Sequence, residues 1–160
     1  MKRQEEEKQE QQQKNKQIVL ELFETSNRQD LEKIAQLVSI TNYSFHFSGM
    51  PPMDWNGHIQ VFSGFNNAFS DLHRSIEDIV AEEGGDKVAV RFTITGTHKE
   101  ELQGIPPTGK KVTFDAMDFL TIIDGKITEE RVTADMMGLM QQIGAIPTAP
   151  SSANSSTTRS

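Results

Sequence analysis

Gly84-Gly-Asp-Lys-Val-Ala-Val-Arg-Phe-Thr-Ile-Thr-Gly-Thr-His98 decides the fold. Val88, Val90, Phe92 and Ile94 alternate with Arg91, Thr93 and Thr95, the two-residue period of a strand with one buried face. Gly84-Gly85-Asp86 ahead of it is a hairpin turn signal, so residues 72–81 read as the partner strand. Downstream, residues 112–123 form a third strand-like run. Asp124-Gly125 is a stronger turn signal and leads into a fourth run over residues 126–133. Hairpins in series curl into one strongly twisted antiparallel sheet.

Helical periods flank this sheet. Ile18, Val19, Leu22 and Phe23 predict an amphipathic helix, and the Glu- and Gln-rich run before them favours its extension in solvent. Asp30 is placed to cap a second helix with Leu31, Ile34 and Val38 on one face. Tyr43-Ser-Phe-His-Phe47 alternates aromatic with polar and predicts a short strand. After a loop broken by Gly49, Pro51 and Pro52, Asp54 or Asn56 begins a third helix carrying Ile59, Phe62, Phe65, Ala68 and Phe69. Residues 136–143 predict a closing helix, with Gly144 suited to its C-cap and Pro147 barring continuation. No internal repeat occurs. The order predicts an α+β domain: a curved antiparallel sheet wrapped over N-terminal helices as a cone-shaped half-open barrel.

The 160 residues fit one domain, and the polarity of both ends narrows it. Residues 1–14 hold four acids and four bases, and residues 148–160 are small, polar and unpatterned. Neither buries enough apolar surface to offset its ordering entropy. Residues 1–14 are therefore expected to be a mobile polar extension, 15–147 the folded domain and 148–160 a disordered tail. The first run sums to zero and the tail carries only Arg159, so the folded part is more acidic than the formal charge of -7. An acidic domain without a basic stripe repels phosphate backbones and anionic lipid, so neither nucleic acid nor membrane is an expected partner. There are no cysteines, no apolar leader at the N-terminus and no long apolar run, and a cytoplasmic location is expected.

No phosphate-binding glycine loop, nucleophile elbow or zinc-binding HExxH helix is present. His46, His58, His73 and His98 are scattered singly, so no metal site is expected. Acids in apolar surroundings remain. By alternation Asp118 shares a face with Phe114, Leu120 and Ile122, where desolvation would raise its pKa toward values useful for acid-base work. The competing reading is a structural carboxylate paired with Arg91 or Arg131, or one turned outward. Asp135 precedes the last helix and reads as its N-cap, a role compatible with opening onto a pocket at the strand end. His46 faces away from Phe45 and Phe47, toward either a cavity or the surface. Trp55 reads as a lid or core residue. The Phe62, Phe65 and Phe69 stripe is core first, although in a half-open barrel core and pocket wall are one surface.

The sequence resembles the SnoaL-like polyketide cyclases, or ester cyclases, within the superfamily shaped like nuclear transport factor 2. The resemblance runs from Asn15-Lys-Gln-Ile-Val-Leu-Glu-Leu-Phe23 to Gly138-Leu-Met-Gln-Gln-Ile-Gly144. Between these stand Val90-Arg-Phe-Thr-Ile-Thr-Gly-Thr-His98, Gly104-Ile-Pro-Pro-Thr-Gly-Lys110, Asp118, Asp124-Gly-Lys-Ile127 and Asp135. It implies a cone-like barrel with a deep apolar pocket, associating as dimers or tetramers through the outer sheet face. It also implies a cofactor-free intramolecular aldol closure of a polyketide ester, with an Asp as the acid-base residue. Carried over by position, the acid near the last helix falls on Asp135, the strand acid on Asp118 and the polar residue of the first strand on His46. Trp55, Phe62, Phe65, Phe69 and Phe114 are then expected to contact substrate, with His98 at the pocket mouth. Arg131 stands where the family often has Trp, and Thr121 where it often has Arg or His. Both departures alter the pocket, so the polyketide substrate does not transfer with the fold.

The leading expectation is a cofactor-independent acid-base enzyme acting on a hydrophobic carbonyl compound, of the aldol-cyclase or isomerase type, with Asp135 as the main acid-base residue and Asp118 and His46 assisting. A hydrolase with carboxylate-activated water, a non-catalytic pocket for an apolar ligand and a purely structural association domain are the alternatives.

Overall fold

The computed structural model describes residues 1–148. The expected tail, apart from residue 148, lies outside the described residues. Helix α1 (Lys2–Asn27) is followed by α2 (Leu31–Leu37), a 3-10 turn (Ile40–Asn42), strand β1 (Ser44–Phe47) and α3 (Trp55–Ala68). Strands β2 (His73–Ala81), β3 (Lys87–Thr97), β4 (Lys111–Ile123) and β5 (Lys126–Ala134) come next, and α4 (Met136–Gln142) closes the domain.

The strands form one curved, unclosed sheet in the order β1-β5-β4-β3-β2. β2 to β5 pair antiparallel as the turn signals predict, whereas β1 joins β5 in parallel, with Phe45 opposite Glu130. Alternation drives the packing. In β4, Val112, Phe114, Ala116, Asp118, Leu120 and Ile122 are buried while their neighbours are more exposed. That inner face meets Val19, Leu22 and Phe23 of α1 and Ile34 of α2 in one apolar core. Phe23 stands edge-on to Phe92, with ring centroids 4.8 Å apart.

The expected boundary at residue 15 does not coincide with a helix end, because α1 runs back to Lys2. Gln12 Nε2 donates to the Ala81 carbonyl at 2.7 Å, and Asn15 Nδ2 to that of Gly85 at 3.2 Å, which ties α1 to the β2–β3 hairpin.

Helix starts follow the capping logic. Asp30, Asp54 and Asp135 each accept a bond from the backbone N–H three residues on, at 3.2, 2.9 and 2.9 Å. Asp54 thereby fixes the register of α3, which carries much of the cavity wall.

Candidate active site

A partly open cavity of ≈ 110 Å³ lies between the inner sheet face and the helices. Its wall is mostly apolar, with Trp55, Ile59, Phe62 and Phe65 from α3, Phe45 and Phe47 from β1, and Phe114 from β4. Four titratable side chains interrupt that wall: His58, Arg74, Asp118 and Glu130.

Asp118 and Glu130 meet because of sheet register. Asp118 pairs with Val132 and Leu120 with Glu130, so the two acids are diagonal neighbours on one face. Both residues are 4% exposed. The Asp118 carboxyl faces Glu130, and its Oδ1 is buried with no partner. Burial, and then the neighbouring Glu130 charge, push Asp118 well above the usual carboxylate range. Arg91 and Arg131, the expected ion-pair partners, lie on the outer side of the sheet.

Glu130 is in turn held by Tyr43, whose hydroxyl donates to Oε2 in a very short hydrogen bond. His58 Nδ1 lies 2.8 Å from the same hydroxyl and 3.6 Å from Glu130 Oε2. Since the only Tyr43 proton goes to Glu130, the second bond runs from the His58 Nδ1–H to the Tyr43 oxygen. Burial, followed by Glu130, raises the Tyr43 pKa well above its ordinary value, which keeps the phenol a donor. Burial lowers the His58 pKa despite Glu130. The neutral imidazole stacks on Phe45 at 3.9 Å between centroids. Opposite this chain, the Arg74 guanidinium lies over the Phe62 ring, 5.2 Å from its centroid.

Of the residues expected at the site, Asp118, Trp55, Phe62, Phe65 and Phe114 line the cavity. Five others do not. The Asp135 carboxylate is committed to capping α4 at Gly138 N and is partly solvated. Ala134, the last residue of β5, lines the cavity, but Asp135 itself does not. His46 turns to the other face of β1, with Nε2 2.9 Å from Ser44 Oγ and 4.0 Å from Glu129. Arg131 also points outward, donating to Glu129 Oε1 at 2.8 Å. Phe69 and His98 are fully buried but structural. Phe69 packs against Gly96, where an added Cβ would come within 3.1 Å of it, and its ring tilts on His98 at 5.4 Å. His98 Nδ1 meets Thr108 Oγ1 at 3.0 Å and its backbone bonds Gly109 and Lys110, pinning the loop that the Gly-Thr-His and Gly-Ile-Pro-Pro-Thr-Gly-Lys motifs enclose.

Tyr43, His58, Arg74 and Glu130 were not anticipated, although three left signals. Tyr43 shares the face of Phe45 and Phe47 by alternation, and a buried phenol seeks a partner. His58 precedes Phe62 and Phe65 at helical spacing. Arg74 sits between Leu72 and Ile76 on the apolar side of β2. Glu130 left no such sign, because Thr128 is an extra residue between the Ile122–Ile127 and Thr121–Glu129 pairs. Counting by twos from Ile127 puts Arg131 inside; the bulge puts Glu130 there instead.

With this geometry in place, comparison with known proteins is informative. The family model of the SnoaL-like polyketide cyclases matches residues 16–143. The chain belongs to that family. Among curated SnoaL-like relatives, the aklanonic acid methyl ester cyclase DnrD of Streptomyces peucetius is 34% identical over 77 residues, covering 48% of this chain and 52% of the relative. The nogalonic acid methyl ester cyclase of Streptomyces nogalater is 32% identical over 85 residues, 53% and 63% of the two chains. The match thus spans only about half of the first relative's length. Among solved structures, AclR from Streptomyces galilaeus, a candidate hydroxylase, superposes with a TM-score of 0.79 at 30% identity, covering 88% of this chain and 87% of that one. Among the described residues no helix is long and apolar enough to cross a membrane, and no cluster of side chains is suited to a metal ion.

Proposed function

We propose that this SnoaL-like protein is an acid-base enzyme that needs no cofactor and acts on a hydrophobic carbonyl compound, with Asp118 as the acid-base group. One observation carries this reading: a buried carboxyl with an unpaired oxygen stands in an apolar cavity, beside a second buried carboxyl. Two adjacent carboxyls hold one proton between them more readily than none, so an acid and a base are present together. In an aldol closure Asp118 passes its own proton to the Glu130 carboxylate and, now ionised, takes the proton from the carbon beside a carbonyl. The enolate carbon then bonds to a second carbonyl carbon, and the carboxylic acid returns the proton to the alkoxide formed there. The chain from His58 through Tyr43 holds Glu130 in position against Asp118.

The ester cyclases among its relatives support a polyketide-like ester as one substrate class. A cavity of ≈ 110 Å³ is smaller than the roughly 300–1,000 Å³ of drug-sized sites, which supports burial of the reacting end of such a molecule rather than its whole frame. The family likeness also supports association through the outer sheet face, where Met117 and Phe119 are exposed.

The test is turnover of aklanonic acid methyl ester, alongside a panel of smaller keto esters, by the wild type and by Asp118→Asn and Asp135→Asn. Asp118→Asn should lower kcat by about 10²–10⁴-fold, and Asp135→Asn should stay close to wild type because Asn also caps helices. Loss of turnover in Asp135→Asn with retention in Asp118→Asn would reverse the assignment. Binding of these compounds with no turnover by any form would leave a binding module.

A further inference from the structure

Arg74 is not required by the proton-transfer steps, yet it stands in the same cavity. β2 turns it inward opposite Ile94 of β3, above the Phe62 ring. The residue as a whole is half-buried, but its Nη1 is fully buried and has no hydrogen-bond partner. None of the ion pairs among the described residues involves it. Burial lowers its pKa to about 10, with Glu130 opposing, so it remains a cation at neutral pH. A buried, charged donor without an acceptor is costly, and an acceptor brought by a ligand removes that cost.

The other polar groups of the cavity do not supply that acceptor. Glu130 accepts from Tyr43, His58 is held neutral by burial, and Asp118 favours its protonated form. The remaining lining is almost entirely apolar. We infer that Arg74 anchors an anionic oxygen of the ligand, a carboxylate or an ionised phenol or enol, so that this site favours apolar ligands carrying such a group, an ester with an ionised phenol included, over their neutral counterparts. The guanidinium over the Phe62 ring is well suited to this, because its unpartnered Nη1 is free to donate to such an oxygen. The inference rests on the reading of the cavity as the substrate site and adds to it the charge of the substrate.

Binding is measured by calorimetry with 2-naphthoate, methyl 2-naphthoate and 4-nitrophenol, the last at pH values on either side of its ionisation. Wild type should bind naphthoate roughly ten- to a hundredfold more tightly than the ester, the range of a charge-assisted hydrogen bond. Arg74→Met should abolish that preference, chiefly by weakening naphthoate binding, and Arg74→Lys should keep part of it. Nitrophenol binding that strengthens on ionisation extends the selectivity to phenolates; indifference to ionisation confines it to carboxylates. In case Arg74→Met does not fold, the Arg74 Nε–H resonance of the wild type should move on adding naphthoate and not on adding the ester. Equal binding of acid and ester, binding of neither up to millimolar concentrations, or an unchanged preference in Arg74→Met overturns the inference. Asp118→Asn separates the two claims: it should lose turnover and keep the preference for the acid.

Discussion

A carboxyl with one oxygen buried and unpaired is costly mainly when ionised, and Asp118 lowers that cost by holding its proton. The consequence is a pH-dependent stability with a definite sign. Its folded-state pKa lies above the ordinary 3.8, so its contribution is intact below about pH 4 and is lost as pH rises through the folded value. Asp118→Asn removes that loss. Urea midpoints taken from pH 4 upward should therefore show the variant gaining on the wild type, by about 1.4 kcal/mol per pH unit between the two pKa values. Parallel midpoints would mean that Asp118 is not perturbed. His58 acts with the opposite sign, since its folded pKa is depressed: its contribution is present above its ordinary 6.5 and is lost as pH falls. At this scale the sequence was informative where a charged residue interrupted an apolar alternation, as at Asp118. At Asp135 it left two roles open, since a helix cap and a catalytic acid call for the same side chain, and the structure shows the cap.

Elements were legible wherever local chemistry specifies them. Asp124 and Gly125 both adopt positive φ, 50° and 74°, as a two-residue hairpin turn between twisted strands requires. That turn sets the β4–β5 pairing which brings Glu130 beside Asp118. Gly125→Ala places a Cβ in the left-handed region and should cost about 1–2 kcal/mol in denaturant unfolding. The same stability as wild type would show that the turn relaxes without penalty. The bulge at Thr128 was not legible. An extra residue in a strand answers to the twist and curvature of the whole sheet, and no residue type marks it. That single irregularity put Glu130 rather than Arg131 on the inner face, beside Asp118.

For the whole molecule, the antiparallel hairpins follow from neighbouring residues, but the site does not. Tyr43 and Glu130 lie 87 positions apart and meet only because β1 joins β5 in parallel at the sheet edge, a pairing with no local turn to announce it. Arg74 and His58 come from two further elements, which explains why individual residues suggested a pocket while its polar network stayed hidden. The proposed acid-base role turns on one proton shared by Asp118 and Glu130, and that can be observed directly. The side-chain carboxyl carbon of Asp118 should be followed by NMR across pH in the wild type and in Glu130→Gln. Titration well above the usual carboxylate range, shifting downward when Glu130 is replaced, is the expected result. Titration of Asp118 in the ordinary range, indifferent to Glu130, would contradict the shared proton and the acid-base role built on it.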